Sequence, residues 1–328
     1  MEQRINTPLT PQQAAEAANA TREAASSTPS FASALWRQFR TDRLAVAGLC
    51  VAATLIVLAA FAPLISSQVV GHGPNELFQK TMTTEQGLPK GPNSSFLFGA
   101  DQAGRDVLVR TLYGARTDLS IALFAVGIST VFGVVLGAVA GFSGGWLDSV
   151  ISRFTDVALA LPVLLLALGI VTTCGLSKTG CVGGAVRPGI LLITVIIALF
   201  SWMPFTRLAR GLAISIREQP FIEASRALGA RRRWILLHDV LPNMATPILI
   251  FAVLQIPTTI LFAATLSFLG LGVPENIPSW GKMLAEAGDY MGTAWWLMVF
   301  PGAFLLASTL AFTMVGDGLA HALRRTEA

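Results

Sequence analysis

A charged segment between two long apolar stretches holds the residues best suited to bind a protein partner. It runs from Arg217 to Asn243 with the sequence REQPFIEASRALGARRRWILLHDVLPN. Glu218 to Leu228 has few helix breakers, so we predict a short helix there, with Gly229 at its C-terminal cap. Glu223 and Arg226 are spaced so that they can pair with each other or with a partner.

The chemistry that this segment favours is recognition rather than catalysis. A small apolar face on the predicted helix would let another protein dock, whereas composition alone would favour a solvated basic loop. The ordered spacing of Glu-Ala-Ser, a glycine four residues later and a Leu-Pro pair decides for docking. The predicted docking residues are Glu223, Ala224, Ser225, Ala227, Leu228 and Gly229.

The sequence lacks the motifs of several catalytic and nucleotide-binding classes. It has no G-x-x-x-x-G-K-[ST] phosphate loop, so we expect no ATP binding by that route. It has no HExxH motif and no His, Asp or Glu cluster inside its apolar stretches, which a membrane protease or proton-coupled carrier would need. Three cysteines and three histidines are too few and too scattered for a structural metal site. We therefore expect no catalytic residue, metal or cofactor in this chain.

The elements that must position the docking segment are membrane helices. The chain is 53% hydrophobic and 13% charged, whereas soluble domains carry roughly 25% charged residues. Apolar runs of about 20 residues are long enough to cross a bilayer as helices. We predict an all-α integral membrane protein with six spans, at 44–65, 119–141, 154–173, 189–208, 244–269 and 294–315.

The arginines predict the orientation of these spans. They cluster before the first span, between the fourth and fifth, and after the sixth, and with six spans these regions share one side. The positive-inside rule makes that side the cytoplasm, so we expect both termini there. This distribution also indicates membrane orientation rather than nucleic-acid binding. The predicted domains are a tail at 1–43, a first helix at 44–65, an external loop at 66–117, a five-helix core at 118–320 containing the segment 217–243, and a tail at 321–328.

Two regions outside the spans leave alternatives open. Phe31 to Arg43 alternates aromatic residues with arginines, which predicts either a short helix at the membrane surface or a basic flank of the first span. The external loop carries three arginines that oppose the orientation rule, with three aspartates close by that could pair with them. These residues are Arg105, Arg110 and Arg116, and Asp101, Asp106 and Asp118.

Several residues within or beside the spans have predicted roles. Gly133, Gly137 and Gly141 lie four residues apart and would let another helix approach closely. Gln255 is polar and deep in the fifth span, so it faces a transport pathway or hydrogen-bonds another helix. Cys174 and Cys181 flank an external loop and are predicted to form a disulfide, with two free thiols as the alternative.

Three separated motifs resemble one family of membrane transport subunits. The docking segment resembles the EAA signature of ABC importer permeases. The run FGADQAGRDVLVRTLYGARTDL resembles FGTDxxGRDxxSRxxYGARxSL of dipeptide and oligopeptide permeases, and SFLGLGVPENIPSWGKML resembles their SFLGLGxxPPxPxWGxML. The chain is similar to the DppC/OppC type from about Arg37 to its end. Two positions depart from the signature, because Ser225 replaces an alanine and Asp239 replaces an aliphatic residue.

This resemblance implies a type I ABC importer permease in the bacterial cytoplasmic membrane, working by alternating access on peptides. It implies a second, DppB/OppB-type permease, two ABC ATPases that carry ATP and Mg, and an external substrate-binding protein. The two external motifs would form a fixed surface for that binding protein or plug the outer mouth of the bundle. The alternatives are a secondary transporter or channel without an ATPase, or an ABC importer for nickel or another small solute.

Overall fold

A computed structural model of the protein describes residues 31–176 and 189–327. These residues form helices and connecting loops, and the described part of the chain contains no β-strand beyond two isolated bridges. The helices are α1 Phe31–Phe39, α2 Arg43–Leu64, α3 Gln79–Met82, α4 Val107–Ser143, α5 Gly145–Ala160, α6 Val163–Leu176, α7 Ile190–Arg217, α8 Pro220–Ala227, α9 Arg232–Ile235, α10 Leu241–Phe268, α11 Trp280–Ala287 and α12 Trp296–Glu327. This confirms the predicted all-α membrane class.

Five helices are long and apolar enough to cross a membrane. They are α2 with its π-helical extension, α4, α7, the continuous α9–α10 unit and α12. The sixth candidate is the pair α5 and α6, which is bent by 82°. The span predicted at 154–173 therefore consists of two helices with a break between them. Pro162 lacks a backbone donor and keeps Leu161 extended, at φ −78° and ψ 141°, which ends α5.

The three spaced glycines of α4 pack against α7, as predicted. A Cβ atom on Gly133, Gly137 or Gly141 would lie only 2.6, 2.8 or 2.9 Å from the Cβ atoms of Phe205, Ala209 and Ala213. Glycine is needed here because any side chain would overlap the neighbouring helix. Both sets of residue numbers rise together, so α4 and α7 run in the same direction.

The parallel arrangement of α4 and α7 requires the chain between them to return across the bundle. α5 begins beside the end of α7, where Arg210 Nη2 donates to Asp148 Oδ2 at 2.8 Å. α6 ends beside the start of α7, where Val171 packs in one cluster with Leu192 and Ile193. The bent pair therefore completes a sixth crossing.

The bundle has two distinct ends. At the end that we call the basic end lie α8, the C-terminus of α12 and helix α1. Gln38 Nε2 of α1 donates to the Arg325 carbonyl at 3.4 Å, and Phe39 is buried against Ala45 and Ala322. This confirms a helix within the predicted Phe31–Arg43 segment. At the opposite end lie residues 71–106, the start of α4 and helix α11.

Helix α4 begins ten residues before the predicted end of the external loop. Asp106 provides its N-cap, since Oδ1 accepts from the backbone N–H groups of Leu108 at 2.7 Å and Val109 at 3.2 Å. The first turns carry buried polar residues, including Arg110 and Asp118. Hydropathy places the span boundary later because it treats buried charges as exposed ones.

Candidate functional site

The docking segment forms the predicted helix, α8, with a glycine at its end. Pro220 occupies the first turn, where its missing N–H costs little. At the other end the Gly229 N–H donates to the Arg226 carbonyl at 3.0 Å, and the Ala230 N–H donates to the Ser225 carbonyl at 3.1 Å. This pair of bonds is a Schellman motif, and it requires the left-handed φ of +82° that Gly229 adopts.

Helix α8 is attached to the bundle by one fully buried side chain. Ile222 packs in a cluster with residues from the ends of α4, α7 and α10, among them Phe142, Ala213 and Met244. Arg217 adds a polar contact, because its Nη1 donates to the Gly141 carbonyl at 3.2 Å. A displacement of α8 would therefore be transmitted to three spanning helices at once.

The remaining surface of α8 is exposed. Of the predicted docking residues, Ser225 is half-buried and the other five are exposed, with Leu228 at 88%. No ion pair of 4 Å or less joins Glu223 to Arg226 among the described residues. Three further apolar side chains are exposed on or near α8 and were not among the predicted docking residues. Their sequence signal is the presence of large apolar residues within a charged segment. They are Phe221, Trp234 and Leu237.

Asp239 occupies an unusual stretch of backbone at the start of the fifth span. Residues Leu236–Val240 form a π-helical turn between α9 and α10, and the Asp239 carbonyl accepts from Asn243 Nδ2 at 2.5 Å. Asp239 Oδ2 is buried without a hydrogen-bond partner among the described residues. The residue that departs from the family signature thus lies in a π-helical turn. Distortions of this kind are frequent at functional sites.

At the opposite end, the first of the two motifs predicted to be external is joined to α11 by partly buried ion pairs. Arg105 Nε donates to Asp101 Oδ2 at 2.6 Å, and Arg105 Nη2 lies 3.3 Å from Glu286 Oε2 of α11. Arg110 is fully buried and lies 3.4 Å from Asp101 and 3.5 Å from Glu286. The predicted pairing of Asp101 with loop arginines is confirmed, whereas Glu286 was not predicted as a partner.

The other two aspartates have different partners from those predicted. Asp118 Oδ2 accepts from the Trp280 backbone N–H at 2.7 Å, and Trp280 Nε1 donates to the Thr111 carbonyl at 3.0 Å. Asp106 Oδ2 lies 2.9 Å from Nε2 of His72, in addition to capping α4. Arg116 is exposed. The predicted pairing of Asp106 and Asp118 with the loop arginines was therefore wrong, because the His72 ring meets Asp106 and a backbone N–H from α11 meets Asp118.

The predicted pathway and disulfide residues stay predictions. Gln255 is half-buried on α10, and its side chain makes no hydrogen bond within the described residues. Cys174 is buried near the end of α6. Cys181 lies outside the described residues. Cys50 is a free, exposed cysteine on α2.

A cavity of about 630 Å³ opens at the opposite end. Its walls come from α6, the start of α7, the loop after α10 and helix α11. Within the described parts of the chain, apolar side chains form most of the lining, and three charged residues also contribute to it: Glu275, Lys282 and Glu286. Its size lies within the range of small-molecule sites in proteins.

Two family models match most of the chain. Residues 133–326 match the binding-protein-dependent transport system inner membrane component, and residues 30–80 match the N-terminal TM domain of oligopeptide transport permease C. Among solved structures, the chain is similar to an inward-facing MetNI methionine ABC transporter with a TM-score of 0.53 and 18% identity. The match covers 67% of this chain and 97% of that one. At this identity the likeness concerns the fold.

Curated relatives match over nearly the whole length. The dipeptide transport system permease protein DppC of Alkalihalophilus pseudofirmus is 38% identical over 88% of both chains. The di/tripeptide transport system permease protein DppC of Pseudomonas aeruginosa is 37% identical over 90% of this chain and 92% of its own. The glutathione transport system permease protein GsiD of Escherichia coli is 37% identical over 88% of both. The chain therefore belongs to the binding-protein-dependent transport permeases, within the DppC/OppC group of ABC importer subunits.

Proposed function

We propose that this subunit imports small peptides across the bacterial cytoplasmic membrane and is driven through α8 by separate ATPases. The observation that carries the coupling role is the double character of α8. Ile222 anchors it to the ends of three spanning helices, while Leu228 and its apolar neighbours are exposed. An apolar surface of this kind among charged residues is typical of a protein interface.

The coupling mechanism follows from that anchorage. Two ATPases, which bind ATP and Mg, come together and each grips a short helix of one permease subunit. Force on α8 passes through Ile222 and Arg217 to the ends of α4, α7 and α10. The helices tilt, the pathway opens outward, and hydrolysis on the ATPases restores the inward-facing state. No residue of this chain takes part in bond breaking.

The proposed assembly contains four kinds of subunit: this chain, a DppB/OppB-type permease, two ATPases and an external binding protein. The basic end then faces the cytoplasm, with both termini, because the arginines of α1, α8, α9 and α12 gather there. The peptide cargo is supported by the names of the curated relatives, which transport dipeptides, di/tripeptides and glutathione. Family membership disfavours a channel or secondary transporter.

The test is uptake by the complete transporter in proteoliposomes with its binding protein. We expect a labelled dipeptide to accumulate only when ATP is supplied on the side of the membrane where the ATPases are bound. Gly229→Val should abolish most of this uptake, because a β-branched residue at φ +82° costs about 1–2 kcal/mol and distorts the end of α8.

Gly229→Asn is the matched control, since asparagine tolerates the left-handed conformation. No heavy atom lies within 4 Å of a Cβ at this position, so space is not limiting for either variant. Normal uptake by the valine variant would contradict the coupling role. ATP-driven accumulation of Ni²⁺ without any peptide uptake would show that the cargo is nickel and not a peptide.

A further inference from the structure

The cavity at the opposite end has the dimensions and lining of a ligand site. Its volume is about 630 Å³, compared with roughly 300–1,000 Å³ for small-molecule pockets. Its apolar lining includes Val171, Leu192 and Ile193, while the loop after α10 and helix α11 supply its charged groups. An apolar cavity with a few charged side chains at one side suits a small molecule that carries charges at its ends.

Lys282 is the charged group whose position needs explanation. Its side chain is partly buried in the cavity lining and makes no ion pair or hydrogen bond with any described residue. Burial lowers the pKa of this ammonium group, although the nearby carboxylates of Glu286 and Glu275 oppose that effect. An ammonium group without a contact partner beside an apolar lining is free to bind an anionic ligand through a charge-assisted hydrogen bond.

The two acidic residues of the cavity are not equivalent. Glu286 has an ionic partner already, since its Oε2 lies 3.3 Å from Arg105 and 3.5 Å from Arg110. Glu275 is exposed and has no ion-pair partner in the described part of the chain. Among the described residues, one cation and one anion without an ionic partner therefore line the same cavity, which is a charge arrangement complementary to a zwitterion.

We propose that this cavity binds a peptide substrate through its free terminal groups, with Lys282 holding the C-terminal carboxylate and Glu275 attracting the N-terminal ammonium. This inference rests on the proposed function, because it supposes that peptides reach this face of the subunit. Lys282 lies at a position that the family pattern SFLGLGxxPPxPxWGxML leaves open.

The test is photo-crosslinking in the complete transporter, in lipid nanodiscs, with a dipeptide that carries photoleucine. We expect label on this subunit at residues that line the cavity, such as Thr172 or Leu192. Alanyl-alanine should compete for labelling about tenfold better than alanyl-alanine amide, because the amide lacks the carboxylate that an ammonium group binds.

Three variants distinguish the loss of a binding site from a general effect on the structure. Lys282→Met should lower the labelling about tenfold, whereas Lys282→Arg should preserve it because the positive charge remains. Lys80→Met is the matched control, since Lys80 is exposed at the same end and does not line this cavity. Equal competition by the amide, label outside the cavity, or wild-type labelling of Lys282→Met would each overturn the inference.

The outcome also distinguishes this inference from the proposed function. If the complete transporter accumulates dipeptides with ATP but the cavity is not labelled, only the cavity site fails. If no peptide is accumulated under any condition, the proposed cargo fails and the site fails with it.

Discussion

The short helices α8 and α11, at the two ends of the bundle, are held to different degrees. Helix α11 buries Trp280 and Met283 and is also joined to the start of α4 by charges, with Glu286 beside Arg105 and fully buried Arg110. Helix α8 is held mainly by one apolar side chain, Ile222, and ends in a glycine turn. Buried ion pairs depend strongly on geometry, whereas apolar contacts tolerate small rotations.

This difference suggests different mechanical roles for the two ends. At the opposite end, the ion pairs and the Trp280 hydrogen bonds fix α11 relative to the start of α4. At the basic end, the exposed apolar residues of α8 have no partner within the described chain, and the anchorage by Ile222 leaves the helix able to follow one. We therefore expect substitutions at the opposite end to affect stability most, and those on α8 to affect coupling most.

The largest expected effect is loss of the buried charge at the opposite end. Arg110→Met should destabilise the subunit by about 3 kcal/mol or more, because it removes one partner of a buried ionic cluster. The measurement is the thermal unfolding midpoint of the purified complex. Arg116→Met, on the same helix but exposed, is the control. Equal midpoints for the two variants would remove the distinction between the ends.

An intermediate effect is expected where α4 and α7 connect the two ends. Gly137→Ala should cost about 1–3 kcal/mol, because its methyl group would overlap α7 near Ala209. Gly127→Ala on the same helix is the control, since no heavy atom lies within 4 Å of its Cβ position. Comparison of the thermal unfolding midpoints tests this prediction. A Gly137→Ala variant as stable as the unchanged protein would show that the two helices can move apart without loss of stability.

The smallest effect on stability is expected on the exposed surface of α8. Leu228→Ser should change the stability by about 0.5 kcal/mol or less, since the side chain is 88% exposed. It should nevertheless weaken ATPase binding about tenfold if Leu228 is a central interface residue. Co-purification of the ATPases from detergent measures this.

Leu97→Ser provides the comparison for that experiment. Leu97 is 63% exposed at the opposite end, so its loss should leave both stability and ATPase binding unchanged. Weakened ATPase binding in the Leu97 variant, or full binding in the Leu228 variant, would contradict the assignment of the two ends.

Local sequence patterns were sufficient for the features that depend on local geometry. The spacing of Gly133, Gly137 and Gly141 predicted a close helix contact, and Gly229 predicted a helix end with a left-handed residue. Pro162 lies inside the span predicted at 154–173, but the sequence alone does not specify the 82° bend there. A proline identifies where a helix can bend, but the packing of both segments sets the angle.

The sequence by itself determined the membrane class, the order of the spans and the position of the segment that forms α8, because hydropathy, charge and glycine spacing act over a few residues. Only the tertiary structure decided that Glu286 joins Arg110, that Asp118 accepts from Trp280, and that Lys282 lines a cavity without an ionic partner among the described residues. These contacts join residues more than 150 positions apart or depend on the packing of several helices, so no local pattern in the chain specifies them.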